Sequence, residues 1–282
     1  MYLFLRETQI ILKYGNRQIL LDTVSEISCD QTFKEISYNR RTLHNKNKFF
    51  KYSRIRGHNT ISGSISLHLT KSFEELVLLE LAGWTNFTTG YAYPDFESIV
   101  PETFSLYLNN AGQVYKLSNC IITQFEMSMN KSFVGNFTVA FEASKMEEVS
   151  RDFPTLVYQG DFLTPTPLVL QLGSYQGLNI TSIGTAFKRE IQYLGVETIH
   201  NSSDLVENNK AIITDASFNI NVNTYFATPN IDSVDVMRFS QNGITITIDN
   251  ALITRRTSID DVLKSSFDVT PTNLTTSINI LI

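Results

Sequence analysis

From Ile61 to Leu69 the chain reads ISGSISLHL, with Ile61, Ile65, Leu67 and Leu69 on one alternation and Ser62, Ser64, Ser66 and His68 on the other. A two-residue period sends successive side chains to opposite faces, so this segment predicts a strand buried on one side. QIILKY and RQILLD flank Gly15-Asn16, a pair that tolerates positive φ, and together they predict a hairpin. Residues 114–129 (VYKLSNCIITQFEMSM) and 133–141 (FVGNFTVAF) predict a second hairpin across Asn130, Lys131 and Ser132. One segment has a helical period instead. Leu76, Leu78, Leu79 and Ala82 form its apolar stripe, Ser72 and Glu75 have capping-box spacing, and Gly83 stands where a left-handed C-terminal cap belongs. Glu74 and Glu75 in the first turn suit the helix dipole. Trp84, the only tryptophan, follows that cap and is expected as a core anchor.

The chain also repeats itself, and a duplication has to be found before motifs are weighed. LKYGNRQILL around Gly15 recurs as LQLGSYQGLNI around Gly173, and FKEISYNRRTLHN at 33–45 recurs as FKREIQYLGVETIHN at 187–201. The alternating strand from Ile61 has a counterpart in IITDASFNINV from Ile212, LSNCIITQFEMSMN matches TIDNALITRRTSID, and FTVAFEAS matches FDVTPTN, with Phe137 against Phe267. All blocks keep their order, so two tandem β modules are expected: residues 1–150, a Pro- and Gly-punctuated connector at 151–167, and residues 168–282. Thr228 before Pro229, with Ile231, Val234 and Phe239 beyond, predicts a short helix in the second module equivalent to the one in the first. The expected fold class is mainly β: two sandwich or barrel modules, each with one helix that covers an open sheet edge.

Composition agrees. The 282 residues are 42% hydrophobic and only 18% charged, while Asn, Ser and Thr together fill 78 positions, a mix that favours strands and turns over long solvated helices. With 23 Lys plus Arg against 28 Asp plus Glu, the formal charge of −5 argues against a surface devoted to nucleic acid. Cys29 and Cys120 lie outside any CxxC or Cys/His cluster and read as small hydrophobes rather than a disulfide. The N-terminus MYLFLRETQIILKYG lacks the features of a signal peptide, and the greasiest stretch, Leu76 to Trp84, is far too short to cross a bilayer, so neither secretion nor a membrane association is expected.

Catalytic chemistry finds no footing in the residue pattern. His44, His58, His68 and His200 show no HxH or HExxH spacing, and no GxSxG, GxxxxGK[ST] or GxGxxG occurs. Glu74-Glu75, Glu147-Glu148 and Asp260-Asp261 are adjacent in sequence, so their side chains diverge on a strand or helix instead of converging on a substrate. Neither an enzyme nor a bound metal or cofactor is expected.

One charged feature stands out. Between Lys34 and His58, Lys34, Arg40, Arg41, Lys46, Lys48, Lys51, Arg54 and Arg56 are opposed by Glu35 alone, a local charge of +7 in an otherwise acidic chain. Three readings stay open: a solvated loop, a nucleic-acid-binding segment that neutralises phosphates, and a hairpin arm that reaches the acidic surface of a neighbouring subunit. Phe49, Phe50 and Tyr52 inside the patch suit packing on a partner or stacking on bases. The candidate subunit or ring interface is therefore Arg40, Arg41, Lys46, Lys48, Phe49, Phe50, Lys51, Arg54 and Arg56.

The order of an N-terminal hairpin (ILKYGNRQILL), a basic connection, an alternating strand (ISGSISLHL), a helix ending in Gly83-Trp84 and a terminal SNCIITQFEMSMNKSFVGNFTVAFEAS resembles the tail tube fold of long-tailed, siphovirus-type bacteriophages. The second set, TPLVLQLG and KAIITDASFNINV, is similar to the subset whose subunit holds two tube modules. The resemblance implies a structural virion protein assembled in the host cytoplasm: a homotrimeric, pseudo-hexameric ring that stacks on adjacent tail tube or baseplate proteins. DNA would pass through the lumen without specific binding, and the loop at about residues 39–60 would contact neighbouring subunits or the next ring. Some such tube proteins carry an immunoglobulin-like domain at the C-terminus, whereas this sequence ends at TSINILI, which leaves the repeated tail tube subunit and the baseplate tube protein both open. A carbohydrate-active β scaffold is a third reading, and it would need a carboxylate pair brought together in a cleft.

Overall fold

A computed structural model describes residues 8–41, 49–87, 90–92, 100–110, 112–130, 136–149, 161, 163, 166–176, 180–194, 210–225, 233–241, 243–259, 263–272 and 278–281, with strand residues 32–59 described by their backbone pairing. The first half contains β1 (Thr8–Tyr14), β2 (Arg17–Leu20), β3 (Val24–Arg41), β4 (Phe49–His68), α1 (Val77–Leu81), β5 (Thr85–Phe87), β6 (Gly90–Ala92), β7 (Phe104–Asn110), β8 (Gln113–Asn130), β9 (Asn136–Ala143) and β10 (Lys145–Glu148). The second contains β11 (Val169–Leu172), β12 (Tyr175–Gln176), β13 (Ile180–Leu194), β14 (Lys210–Tyr225), β15 (Ser233–Gln241), β16 (Ile244–Ile259), β17 (Leu263–Pro271) and β18 (Ile278–Leu281).

The antiparallel pairings of the second half repeat those of the first. β1 pairs with β2 and β7, β3 with β4, β4 with β9, and β8 with β7, β9 and β10. Correspondingly, β11 pairs with β12 and β15, β13 with β14, β14 with β17, and β16 with β15, β17 and β18. Backbone conformation repeats as well. Gly15 and Gly173, in the turns closed by Tyr14↔Arg17 and Leu172↔Tyr175, both have φ 55°, a left-handed conformation that costs glycine little. Gly112 and Gly243, in the β7–β8 and β15–β16 turns, have φ 89° and 85°. Asn119 and Asn250, at the same spacing beyond those turns, have φ 52° and 54°, and asparagine is among the few side chains that visit this region readily.

Those two asparagines mark where one strand serves two sheets. Up to Cys120, β8 pairs with β7 and β10 in an outer sheet; from Ile121 it pairs with β9 in an inner one. Alternation then sets the faces: in β9 the buried positions Phe137, Val139, Phe141 and Ala143 alternate with half-buried ones. An apolar core between the layers joins Ile10 and Leu12 of β1, Leu106 of β7 and Phe137 and Phe141 of β9, and extends to Phe239, Ile246, Val222 and Val269 in the second half. Cys120 lies in it, while Cys29 is half-buried; both are free thiols.

The helix is shorter than the apolar stripe suggests. A 3-10 turn at Glu74–Leu76 precedes five α-helical residues. The Glu75 carboxylate accepts from Thr70 Oγ1 at 2.7 Å and from the Thr70 amide at 3.4 Å, and Ser72 Oγ accepts from the Glu74 amide at 3.5 Å. Gly83 does take positive φ, 95°. In the second half the expected helix is corrected. Val234 and Phe239 are buried positions of strand β15, which is held between β11 and β16, so pairing with neighbouring strands decides their conformation. Ile231 and the Thr228-Pro229 pair lie outside the described residues, as do His44-Asn45, His200-Asn201 and most of the connector.

Candidate functional site

The inner sheet is continuous through both halves because β13 pairs with β8. Seven registered residue pairs join them, from Ser182↔Asn130 to Lys188↔Gln124. The strand order is therefore β3-β4-β9-β8-β13-β14-β17-β16. Side chains fasten this junction too. Trp84, 4% exposed, leaves the end of the first-half helix and meets Phe187 and Phe218 of the second half edge-on, with ring centroids 6.3 and 6.2 Å away. Buried Arg189 of β13 donates from Nη2 to the Leu81 carbonyl at 3.1 Å and from Nε to the Ile122 carbonyl at 3.1 Å. A cation at the helix C-terminus also opposes the helix dipole favourably. Finally, β18 lies between β16 and β6, so a strand of the second half pairs with one of the first.

At its two ends the inner sheet is open. Among the described residues, β3 pairs only with β4, and beyond Leu252 strand β16 pairs only with β17. Unpaired N–H and C=O groups on such edges invite another strand.

The face of this sheet away from the core is polar. A groove of about 440 Å³ crosses β9, β8, β13 and β14, lined by residues that include Glu126, Thr138, Lys188 and Asn219. Hydrogen bonds run along the face: Asn221 Nδ2 donates to Asp268 at 2.8 Å, Asn223 Nδ2 donates to Ser182 Oγ and Asn221 Oδ1 at 3.0 Å each, and the hydroxyls of Ser28 and Ser64 lie 2.8 Å apart. Register places Glu26, Asp30, Glu126, Glu142, Glu190, Asp215 and Asp268 on this face, with Lys188 and Arg256 as the basic residues among the described side chains. The face is shallow and acid-rich. Among the described residues, no group of three or more His, Cys, Asp or Glu side chains could hold a metal ion, and no helix is long and apolar enough to cross a membrane.

The basic segment falls on one long antiparallel ribbon. Arg40 and Arg41 of β3 stand opposite Phe50 and Phe49 of β4, Lys51 stands opposite Asn39, and Arg54 opposite Ile36. Arg56 sits at the register shift between Lys34 and Glu35. Lys46 and Lys48 lie in residues 42–48, outside the described residues. Partner strand β9 reaches β4 only from Ile61 onward, so the ribbon from Phe33↔His58 to Arg41↔Phe49 has two strands. Sequence reasoning singled out this ribbon from its charge. It missed the β8–β13 junction and the two open edges, for which no motif exists, because strand-edge groups are backbone groups common to every residue.

The chain is 22% identical over 284 residues to baseplate tube protein p140 of Escherichia phage T5, covering 96% of this chain and 94% of that protein. Residues 1–281 match the Bacteriophage Baseplate Tube Protein Family. Of the two tube proteins that the sequence left open, this match selects one: the chain belongs to the bacteriophage baseplate tube protein family, structural components of the virion tail.

Proposed function

We propose that three copies of the chain close into a ring, each contributing two tube modules at 1–150 and 168–282 about the connector at 151–167, and that the ring forms part of a conduit for DNA ejection. The observation that carries this reading is the β8–β13 junction. Within one chain it joins the C-terminal part of β8 to the first long strand of the second half, while the matching parts, β16 and β3, remain open at the ends of the sheet. A β16 edge that takes up β3 of the next copy repeats the internal junction between chains. The last edge then meets the first, which removes both open edges with a defined stoichiometry.

In that ring the polar face of the inner sheet lines the lumen. Its excess of carboxylates repels the phosphate backbone, so DNA passes without being held. The basic ribbon, carrying Arg40, Arg41, Lys51, Arg54 and Arg56 with Phe49 and Phe50, is the arm that docks on a neighbouring subunit or adjoining tail protein; an isolated two-strand ribbon is marginal in water and gains stability from such a partner.

Sedimentation at rising protein concentration and negative-stain imaging test the ring. Particles of three chains with a central hole are expected, and a strictly monomeric species at high concentration overturns it. Replacing Arg40, Arg41, Lys48 and Arg54 together by Ser separates the arm from a nucleic-acid site: assembly should fail while oligonucleotide binding, absent at physiological salt in the parent, stays absent. Salt-sensitive binding in the parent that these replacements abolish would instead favour the nucleic-acid reading.

A further inference from the structure

The repeated ladders allow the open edges to be matched residue by residue. In the first half one row across the inner sheet runs Phe125, Val139, Ile65, Ile27, and a second runs Ile122, Phe141, Gly63, Cys29. In the second half the corresponding rows are Arg255, Phe267, Val222, Ile183 and Ile253, Val269, Ile220, Thr185. The correspondence is anchored where Ile122 and Ile253 follow Asn119 and Asn250 at equal spacing, and it absorbs the register shift between Ile122 and Gln124. By the same rows Gln31 occupies the place of Phe187, and Asp30 that of Ala186; the ladders correct the residue match by two positions, setting Phe267 against Val139 instead of Phe137 and Phe187 against Gln31 instead of Phe33.

At the internal junction Phe187 stands opposite Phe125, and Ala186 opposite Glu126. We infer that at the junction between chains Asp30 of the partner subunit stands opposite Arg256, and Gln31 of the partner subunit opposite Arg255, so that these two positions hold polar pairs where the internal junction has Ala186 against Glu126 and Phe187 against Phe125. The inference rests on the ring reading above and supplies its register.

Three observations support those pairs. Asp30 and Arg256 are both exposed, lie on the same polar face, and carry opposite charge; opposite charges directly across strands attract, and like charges there repel. The Arg256 Nη2 atom already lies 3.5 Å from Asp268 on the inner side, which leaves its outer side toward the open edge. On the opposite face, Arg255 Nε is buried with no hydrogen-bond partner among the described residues. A buried donor without an acceptor is costly, and a glutamine side-chain oxygen brought up on the next strand can accept from it. At the internal junction the equivalent positions are two phenylalanines, so the two kinds of junction differ chemically. A chain with Asp30 on its β3 edge and Arg255 and Arg256 on its β16 edge favours head-to-tail closure over pairing of like edges.

Two experiments test the register. Asp30→Cys with Arg256→Cys, in a Cys29→Ser background, should on mild oxidation yield disulfide-linked dimers and trimers in high yield, because directly opposed strand residues have the Cα separation that a disulfide spans. Asp30→Cys with Thr254→Cys, displaced by two residues, should link several-fold less. Separately, Asp30→Arg and Arg256→Asp should each weaken ring association roughly tenfold or more through like-charge contact, and the combined swap should restore most of it. If the parent forms no rings, the ring reading itself fails. If rings form, but the displaced pair links better or the swap gives no rescue, the ring reading survives and this register is wrong.

Discussion

Replacing Gly63 by alanine places a methyl group inside the Phe141 ring. A Cβ at Gly63 would lie 2.4 Å from Phe141 Cζ and 2.8 and 2.9 Å from its two Cε atoms, where ordinary contact begins at 3.4 Å. The ring edge would have to retreat by about 1 Å. It has no room: Phe141 is 1% exposed, stands directly opposite Gly63 in the β4–β9 ladder, and packs edge-on against Phe104 with centroids 6.4 Å apart. Overpacking of this kind costs about 1–3 kcal/mol, offset by about 0.4–1 kcal/mol because alanine restricts the unfolded chain. A net loss of about 1–2 kcal/mol follows. Gly184 is the internal control. It occupies β13, a middle strand of the same sheet, and a Cβ there would meet nothing within 4 Å, so Gly184→Ala should be neutral or slightly stabilising. In urea unfolding with a slope of about 3 kcal/mol/M, the two variants should differ in midpoint by roughly 0.5 M or more. Adding Phe141→Leu to Gly63→Ala should recover part of the loss, a coupling that a double-mutant cycle reads directly. A Gly63→Ala midpoint equal to or above that of Gly184→Ala would refute the packing argument.

Two other outcomes follow from the same structure. Arg189→Met keeps much of the volume but removes the donors to the Leu81 and Ile122 carbonyls, and should destabilise the chain by about 3 kcal/mol; an unchanged urea midpoint would show that the junction does not depend on it. Burial pushes the Cys29 thiol up to about 11, with help from the neighbouring Asp30 charge, and the Cys120 thiol up to about 12, against an ordinary value of 9.0. The unfolded chain therefore releases these protons first, so their contribution to stability is intact below pH 9 and is lost as pH rises toward 11–12. Urea midpoints of the parent should fall faster above pH 9 than those of a Cys29→Ala, Cys120→Ala variant, and parallel curves would contradict the shifts.

Much of this protein is written locally. Gly15 and Gly173 declare their turns because a residue without a Cβ takes that backbone at least cost. Ile61, Ile65 and Leu67 declare their face by alternation, and the duplicated order of segments is visible in the residue pattern itself. Trp84 could be assigned to the core but not to its partners, since Phe187 and Phe218 come from the other half of the chain. Val234 and Phe239 are five residues apart, a spacing that matches neither the helical nor the strand period, and pairing with β16 made both of them strand residues. Periodicity tells which way a side chain points, since that depends on the residue's own neighbours. Which strand lies alongside depends on hydrogen-bonding groups that every residue carries alike, so the β8–β13 junction, the Arg189 clasp and the two open edges were decided only when distant segments came together in space.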